Sequence, residues 1–256
     1  MGAPQTDVLS IKEIVIDESE DRGAIAFVTI NRADKLNALN AEVMSSLKDM
    51  VAWVEQTDSI RVVVITGAQP NEPEQGKRAK PNAFVAGADI TEFVGKKSDD
   101  IRKMFADNAV EALWNLSKPT IAMVDGFALG GGCEVACSCD IRIASNRSRF
   151  GTPEINLGLI PGYGATQRLV NLLGYGKTME MVMTGEMIDS TDALKWGLVN
   201  HVVEPEQLFD FTMNLAKIIG SKSTHTLKVA KKTIRSALST GLEQGVAIEA
   251  EAFASL

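Results

Sequence analysis

A glycine-rich junction, Gly126-Phe-Ala-Leu-Gly-Gly-Gly-Cys-Glu134, constrains this chain more than any other feature. Thr120 to Val124 ahead of it reads as a strand, so the backbone must leave a strand, cross three consecutive glycines and enter a helix. Such a junction leaves N–H groups bare at the positive end of a helix dipole, a setting that suits a developing oxyanion. The glycines also have a plain reading, close packing of helix on strand. A second small-residue turn, Ala86-Gly-Ala-Asp89, closes an earlier strand, and two such turns can aim one N–H each at the same oxygen. Gly151-Thr-Pro-Glu154 and Pro161-Gly-Tyr-Gly164 follow, so Glu134 and Glu154 stand 20 residues apart, each beside a glycine-rich turn. Paired carboxylates near an oxyanion site can divide acid and base work on one substrate. The set points to chemistry at an activated carbonyl.

A chain of 256 residues with 45% hydrophobic and 23% charged residues can bury a sizeable core as one large domain or one domain with an appendage. The net charge of -7 argues against a nucleic-acid surface as the main role. No stretch of uncharged apolar residues is long enough for a membrane span, and no signal peptide is visible. Cys133, Cys137 and Cys139 match no usual zinc spacing and have no histidine near, so they read as buried free thiols of a cytoplasmic protein. No metal site is expected.

Residues 11–31 read as two strands around an acidic turn, and Asn40 as the N-cap of a helix whose Val43, Leu47, Met50, Val51 and Val54 share a face. Strands follow at Val62 to Ile65 and Ala83 to Val85, separated by a loop over 68–82 that carries Lys77, Arg78 and Lys80. Asp99 to Leu116 suits one helix, and Ile141 to Ala144 a strand. Beyond it the periodicity predicts helices near 164–184, 190–196, 205–219, 223–239 and 242–256, with a strand at Val199 to Val203. The division expected is a core over 1–200 and a helical region over 201–256.

Other chemistries lack their motifs. Gly176-Lys-Thr has Asn171 where a P-loop needs glycine, Gly162-x-Gly164 is followed by Gln167 rather than a third glycine, and no Gly-x-Ser-x-Gly elbow occurs. His201 and His225 are isolated and read as surface or satisfied histidines.

The motifs together resemble those of the enoyl-CoA hydratase/isomerase (crotonase) superfamily over nearly the whole chain. The matching pieces are Asn31 to Leu39, Ala86 to Ile90, Gly126 to Asp140, Gly151 to Gly158, Ile160 to Leu169 and Thr184 to Val199. The resemblance implies an α/β fold, a crotonase-like spiral of ββα repeats with a helical C-terminal region that trimerises, giving a homotrimer or a hexamer built as a dimer of trimers. It assigns the oxyanion hole to the N–H groups of Ala88 and Gly131, catalysis to Glu134 and Glu154, and a water-holding backbone group to Gly162. Lys35, Leu36 and Ala38 fall in the segment that wraps the CoA nucleotide, while Ala86, Ala88, Asp89, Ile90 and Thr91 line the pantetheine and thioester. Coenzyme A enters as part of an acyl-CoA substrate, with no separate cofactor.

The activity implied is hydration of short enoyl-CoA thioesters such as crotonyl-CoA, and the reverse dehydration. Within the superfamily the chain looks most like the archaeal crotonyl-CoA hydratase/3-hydroxypropionyl-CoA dehydratase type. A Δ3,Δ2-enoyl-CoA isomerase is the enzymatic alternative, although that chemistry needs one carboxylate and both positions here are filled. RNA binding, known for one branch, is disfavoured by the acidic balance. Relatives usually continue past Glu249-Ala-Glu-Ala-Phe-Ala-Ser-Leu256 through a further helix, so a C-terminal truncation is expected.

Overall fold

The structure, a computed structural model, describes residues 2–19, 22–71 and 78–256. An antiparallel pair, β1 (Leu9–Val15) and β2 (Ala24–Ile30), opens the fold. Helix α1 (Ala41–Gln56) then leads to β3 (Ile60–Gly67), which runs parallel to β2. The start of α1 is the one expected: Asn40 Oδ1 accepts from the Val43 N–H at 3.0 Å.

From β3 the chain winds in repeated turns. In each turn one strand joins a six-stranded sheet, the next joins a four-stranded sheet, and helix follows. The first turn is β3, β4 (Ala83–Ala86), α2 (Ser98–Ala106) and α3 (Ala109–Asn115). The second is β5 (Thr120–Val124), β6 (Phe127–Leu129) and α4 (Gly131–Ser138). The third is β7 (Ile141–Ser145), β8 (Arg149–Gly151), α5 (Ala165–Leu173) and α6 (Tyr175–Thr184). Short elements complete both sheets: β9 (Ile188–Asp189), α7 (Ser190–Lys195) and β10 (His201–Val203). Helices α8 (Leu208–Gly220), α9 (Thr224–Ser236) and α10 (Leu242–Ala254) end the chain. The sheet orders are β1-β2-β3-β5-β7-β10 and β4-β6-β8-β9. This is the spiral of ββα repeats.

Burial follows from the alternation of side chains along the inner strands. One face of the large sheet, with Val63, Ile65, Ala122, Val124 and Ala144, joins the main core under α1, α3 and α4. The other face, with Val62, Val64, Ile121, Met123 and Ile143, is covered by Leu208, Met213 and Ala216 of α8. Both faces are buried, which is why these strands read as continuous apolar runs rather than alternating ones. By contrast α9 and α10 bury none of their residues, and Ile234, Leu242 and Phe253 are 71%, 86% and 82% exposed.

Two helices expected as single units are divided. Residues 99–116 break at Asp107–Asn108, where Asn108 Oδ1 accepts from the Glu111 N–H and starts α3 afresh. Residues 164–184 break at Gly174, whose φ of 76° lies outside helical backbone. In the 68–82 loop Lys77 lies outside the described residues; Arg78 is exposed, and Lys80 Nζ donates to the Asp34 carbonyl at 2.9 Å.

Candidate active site

The second turn of the spiral builds the floor of the site. Strand β6 ends at Leu129, Gly130 turns with φ 50° and ψ -123°, and α4 starts at Gly131. No L side chain adopts that backbone at Gly130 without strain. The Gly130 N–H donates to the Gly151 carbonyl at 2.9 Å, which pins the junction to β8. Gly132 serves packing: a Cβ there would lie 1.9 Å from the Val85 carbonyl, so α4 sits directly on β4 only because the residue is glycine. The glycine run therefore has both of the meanings its sequence allows.

Ala88 faces this junction from the end of β4. Leu39 and Ala88 form a parallel bridge in which the Leu39 N–H donates to the Gly87 carbonyl and the Asp89 N–H to the Leu39 carbonyl, at 2.9 and 2.7 Å. In that pattern the N–H of Ala88 itself turns away from Leu39. Its nitrogen lies close to α4: a Cβ placed on Gly131 would be 3.5 Å from it. The Ala88 backbone thus lies against the first residue of a helix, a place where N–H groups can stabilise a carbonyl oxygen gaining charge.

Glu134 lies in the first turn of α4 and is 1% exposed. Its Oε1 accepts from the N–H groups of Tyr163 and Ala165, at 2.7 and 3.0 Å. Burial pushes its pKa up to about 7, opposed by the Ala165 N–H and increased by the negative charge of Glu154. Glu154 stands in the 3₁₀ turn Pro153–Leu157 after β8, half-buried, with Oε1 3.0 Å from where a Cβ of Gly130 would be. Its Oε2 is buried with no protein partner among the described residues. Burial raises the pKa of this carboxyl too. Both carboxyls therefore resist ionisation, and the charge of Glu154 is felt at Glu134.

Gly162 is exposed and precedes the turn that holds Glu134; the N–H groups reaching the carboxylate are those of Tyr163 and Ala165. A Cβ on Gly162 would meet the Phe105 ring at 2.3 Å, and that ring stacks on Tyr163 with centroids 4.5 Å apart and on Phe93 at 6.1 Å. An aromatic stack therefore adjoins the turn that holds Glu134.

The segments expected to carry CoA lie against each other. The Ala86 N–H donates to the Leu36 carbonyl at 3.0 Å, which seats residues 35–38 beside 86–89. Lys35 and Thr91 are exposed, Ile90 is 55% exposed, and Ala38 is partly buried. Thr91 Oγ1 donates to Asp89 at 2.6 Å, and together with Arg32 it holds the Asp89 carboxyl below its ordinary range. Two residues of this loop had no assigned role in the sequence. Arg32 donates to the Ala38 carbonyl at 2.6 Å and pairs with Asp89 at 3.3 Å. Asn37, 1% exposed with φ 57°, accepts from the Arg32 N–H and donates to the carbonyls of Ala68 and Ala83. An asparagine in a tight turn tolerates left-handed backbone, the one local sign that pointed to it.

The enoyl-CoA hydratase/isomerase family model matches residues 20–256. A short-chain-enoyl-CoA hydratase of Clostridium acetobutylicum is 40% identical over 236 residues, 91% of this chain and 86% of that protein. A crotonyl-CoA hydratase of Syntrophomonas wolfei is 36% identical over 243 residues, 94% of this chain and 88% of that protein. Among solved structures, an enoyl-CoA hydratase from Bacillus anthracis superposes with a TM-score of 0.83 at 29% identity, covering 97% of this chain and 90% of that one. On its sequence and on its fold, the chain belongs to the enoyl-CoA hydratase/isomerase family.

Proposed function

We propose that this protein is a short-chain enoyl-CoA hydratase that adds water across the C2=C3 bond of crotonyl-CoA-like thioesters and also runs the reverse dehydration. The observation that carries the reading is that buried Glu134 and half-buried Glu154 lie beside the junction where the Ala88 backbone approaches Gly131. The thioester oxygen accepts from the Ala88 and Gly131 N–H groups, which draws electron density from the double bond and makes C3 electrophilic. Water adds its oxygen to C3 and gives a proton to Glu134, while Glu154 delivers a proton to C2 as the enolate collapses. In dehydration Glu154 takes the C2 proton and Glu134 protonates the departing hydroxyl.

A Δ3,Δ2-isomerase would need one of these carboxyls to shuttle a proton, whereas here both are built in and both are kept from ready ionisation by burial. Short substrates fit the names of the two relatives. Dehydration of 3-hydroxypropionyl-CoA is the same chemistry on the shortest substrate of that class. Lys35, Leu36 and Ala38 hold the nucleotide end of CoA and Ala86 to Thr91 the pantetheine arm, with Gly162 beside the water. The test is kcat/KM on CoA thioesters of increasing acyl length, in both directions. The reading expects crotonyl-CoA to exceed a ten-carbon enoyl-CoA; equal or greater kcat/KM on the longer chain would contradict it.

A further inference from the structure

Glu134 is held by a turn, and an arginine side chain bonds to that turn. Arg168 of α5 donates from Nη1 to the Tyr163 carbonyl at 2.7 Å, and a Cβ on Gly164 would lie 2.3 Å from the same nitrogen. The residues on either side of Gly164, Tyr163 and Ala165, are the two whose N–H groups converge on Glu134 Oε1. Arg168 is fixed in turn from α3: Nη2 donates to Glu111 at 2.6 Å, and Cζ lies 4.7 Å from the centre of the Trp114 ring. Its side chain is 9% exposed. We propose that Arg168 is a positioning residue for the reaction: its planar fork, braced by Glu111 and Trp114, sets the Tyr163–Ala165 turn so that both N–H groups hold one oxygen of Glu134.

The inference rests on the hydratase reading of Glu134. An arginine suits the task because one rigid guanidinium reaches a carbonyl on one side and a carboxylate on the other, which a lysine ammonium cannot do in the same geometry. Its charge acts as well. The groups facing Glu134 are Glu154 from the turn after β8, Tyr163 beside the ring stack, Cys133 and Cys137 on its own helix, and Arg168 from α5. Arg168 is the cation of that set, and it opposes the upward push of burial on the Glu134 carboxyl. Removing it has two consequences that a merely structural arginine would not produce together: a slower step at unchanged affinity, and a Glu134 that ionises at higher pH.

Arg168→Met, Arg168→Lys and the milder Glu111→Gln test this, each confirmed folded by circular dichroism. In Arg168→Met, kcat for crotonyl-CoA hydration should fall about 10²-fold with KM nearly unchanged, as expected for a misplaced catalytic group. The acidic limb of its kcat–pH profile should move to higher pH. Arg168→Lys should keep the limb near its wild-type place while recovering only part of kcat. Glu111 is half-exposed, so Glu111→Gln loosens the brace without opening the core and should lower kcat by less, in the same direction. Carbon-13 NMR titration of the Glu134 carboxyl, assigned with Glu134→Gln, needs no substrate and should show the same upward shift in Arg168→Met. Wild-type kcat with an unmoved titration in folded Arg168→Met would overturn the proposal, as would a loss confined to KM or to Tm. Should Arg168→Met not fold, an unchanged kcat and titration in Glu111→Gln would overturn it. If the wild-type protein hydrates no enoyl thioester while the titration still moves, the positioning role stands and the functional reading falls.

Discussion

At the scale of residues, the site trades stability for chemistry. Glu134 is almost wholly buried, yet it must carry charge in part of the proposed cycle, and burial sets its pKa at about 7 against a usual 4.5. Between those two pH values the folded state binds more protons than the unfolded chain, so this group's contribution to stability declines as pH rises from the lower to the higher and is fully lost above it. Glu134→Gln keeps an oxygen for the Tyr163 and Ala165 N–H groups and removes the charge. It should therefore be more stable than wild type at pH 8, by about 1–3 kcal/mol, with the gap closing toward pH 4. Urea melts across that range check it; a variant less stable than wild type at pH 8 would mean the buried charge is not being penalised. The two glutamates and the glycines stood out in the sequence as a spaced set, and their roles came from the family resemblance. The groups that hold Glu134 did not: Tyr163 and Ala165 act through backbone N–H groups, which every residue but proline carries.

At the scale of elements, the strand-to-helix junction carries the geometry. Helix α4 approaches β4 so closely that Gly132 admits no Cβ against the Val85 carbonyl. Gly132→Ala should push α4 off the sheet and cost on the order of 3 kcal/mol or more, since backbone cannot move aside as a flexible side chain would. A Tm within a degree of wild type would show the contact to be looser than described. The sequence announced strands of the large sheet plainly, because Val62 to Ile65 and Ile121 to Val124 are apolar on both faces. It announced the small sheet poorly. β6, β8 and β9 are three, three and two residues long, too short for any period to show, and β6 lies inside the glycine-rich segment. The divided helices escaped for a related reason: the apolar spacing runs on across Asp107 and Gly174, while a cap and a left-handed glycine interrupt the backbone locally.

At the scale of the whole molecule, the spiral leaves its last two helices without a core of their own. Ile234, Leu238, Leu242, Val246 and Phe253 are exposed apolar residues on α9 and α10, more than a monomer usually presents together. Assembly into trimers, alone or as pairs of trimers, would cover them. Light scattering at micromolar concentration should give the mass of a trimer or hexamer, and a monomer across that range would contradict the assembly.

The central claim is that two carboxyls, rather than one, carry the reaction. Its most direct measurement is kcat for crotonyl-CoA hydration in Glu134→Gln and Glu154→Gln beside wild type, with isomerisation of a 3-enoyl-CoA assayed in the same preparations. Each substitution should lower hydration by roughly 10²–10⁴-fold, the usual worth of a positioned acid or base, and the double variant should lose less than the product of the two. An isomerase would keep its activity in Glu134→Gln and lose it in Glu154→Gln. Near-normal hydration by folded Glu134→Gln would contradict the account.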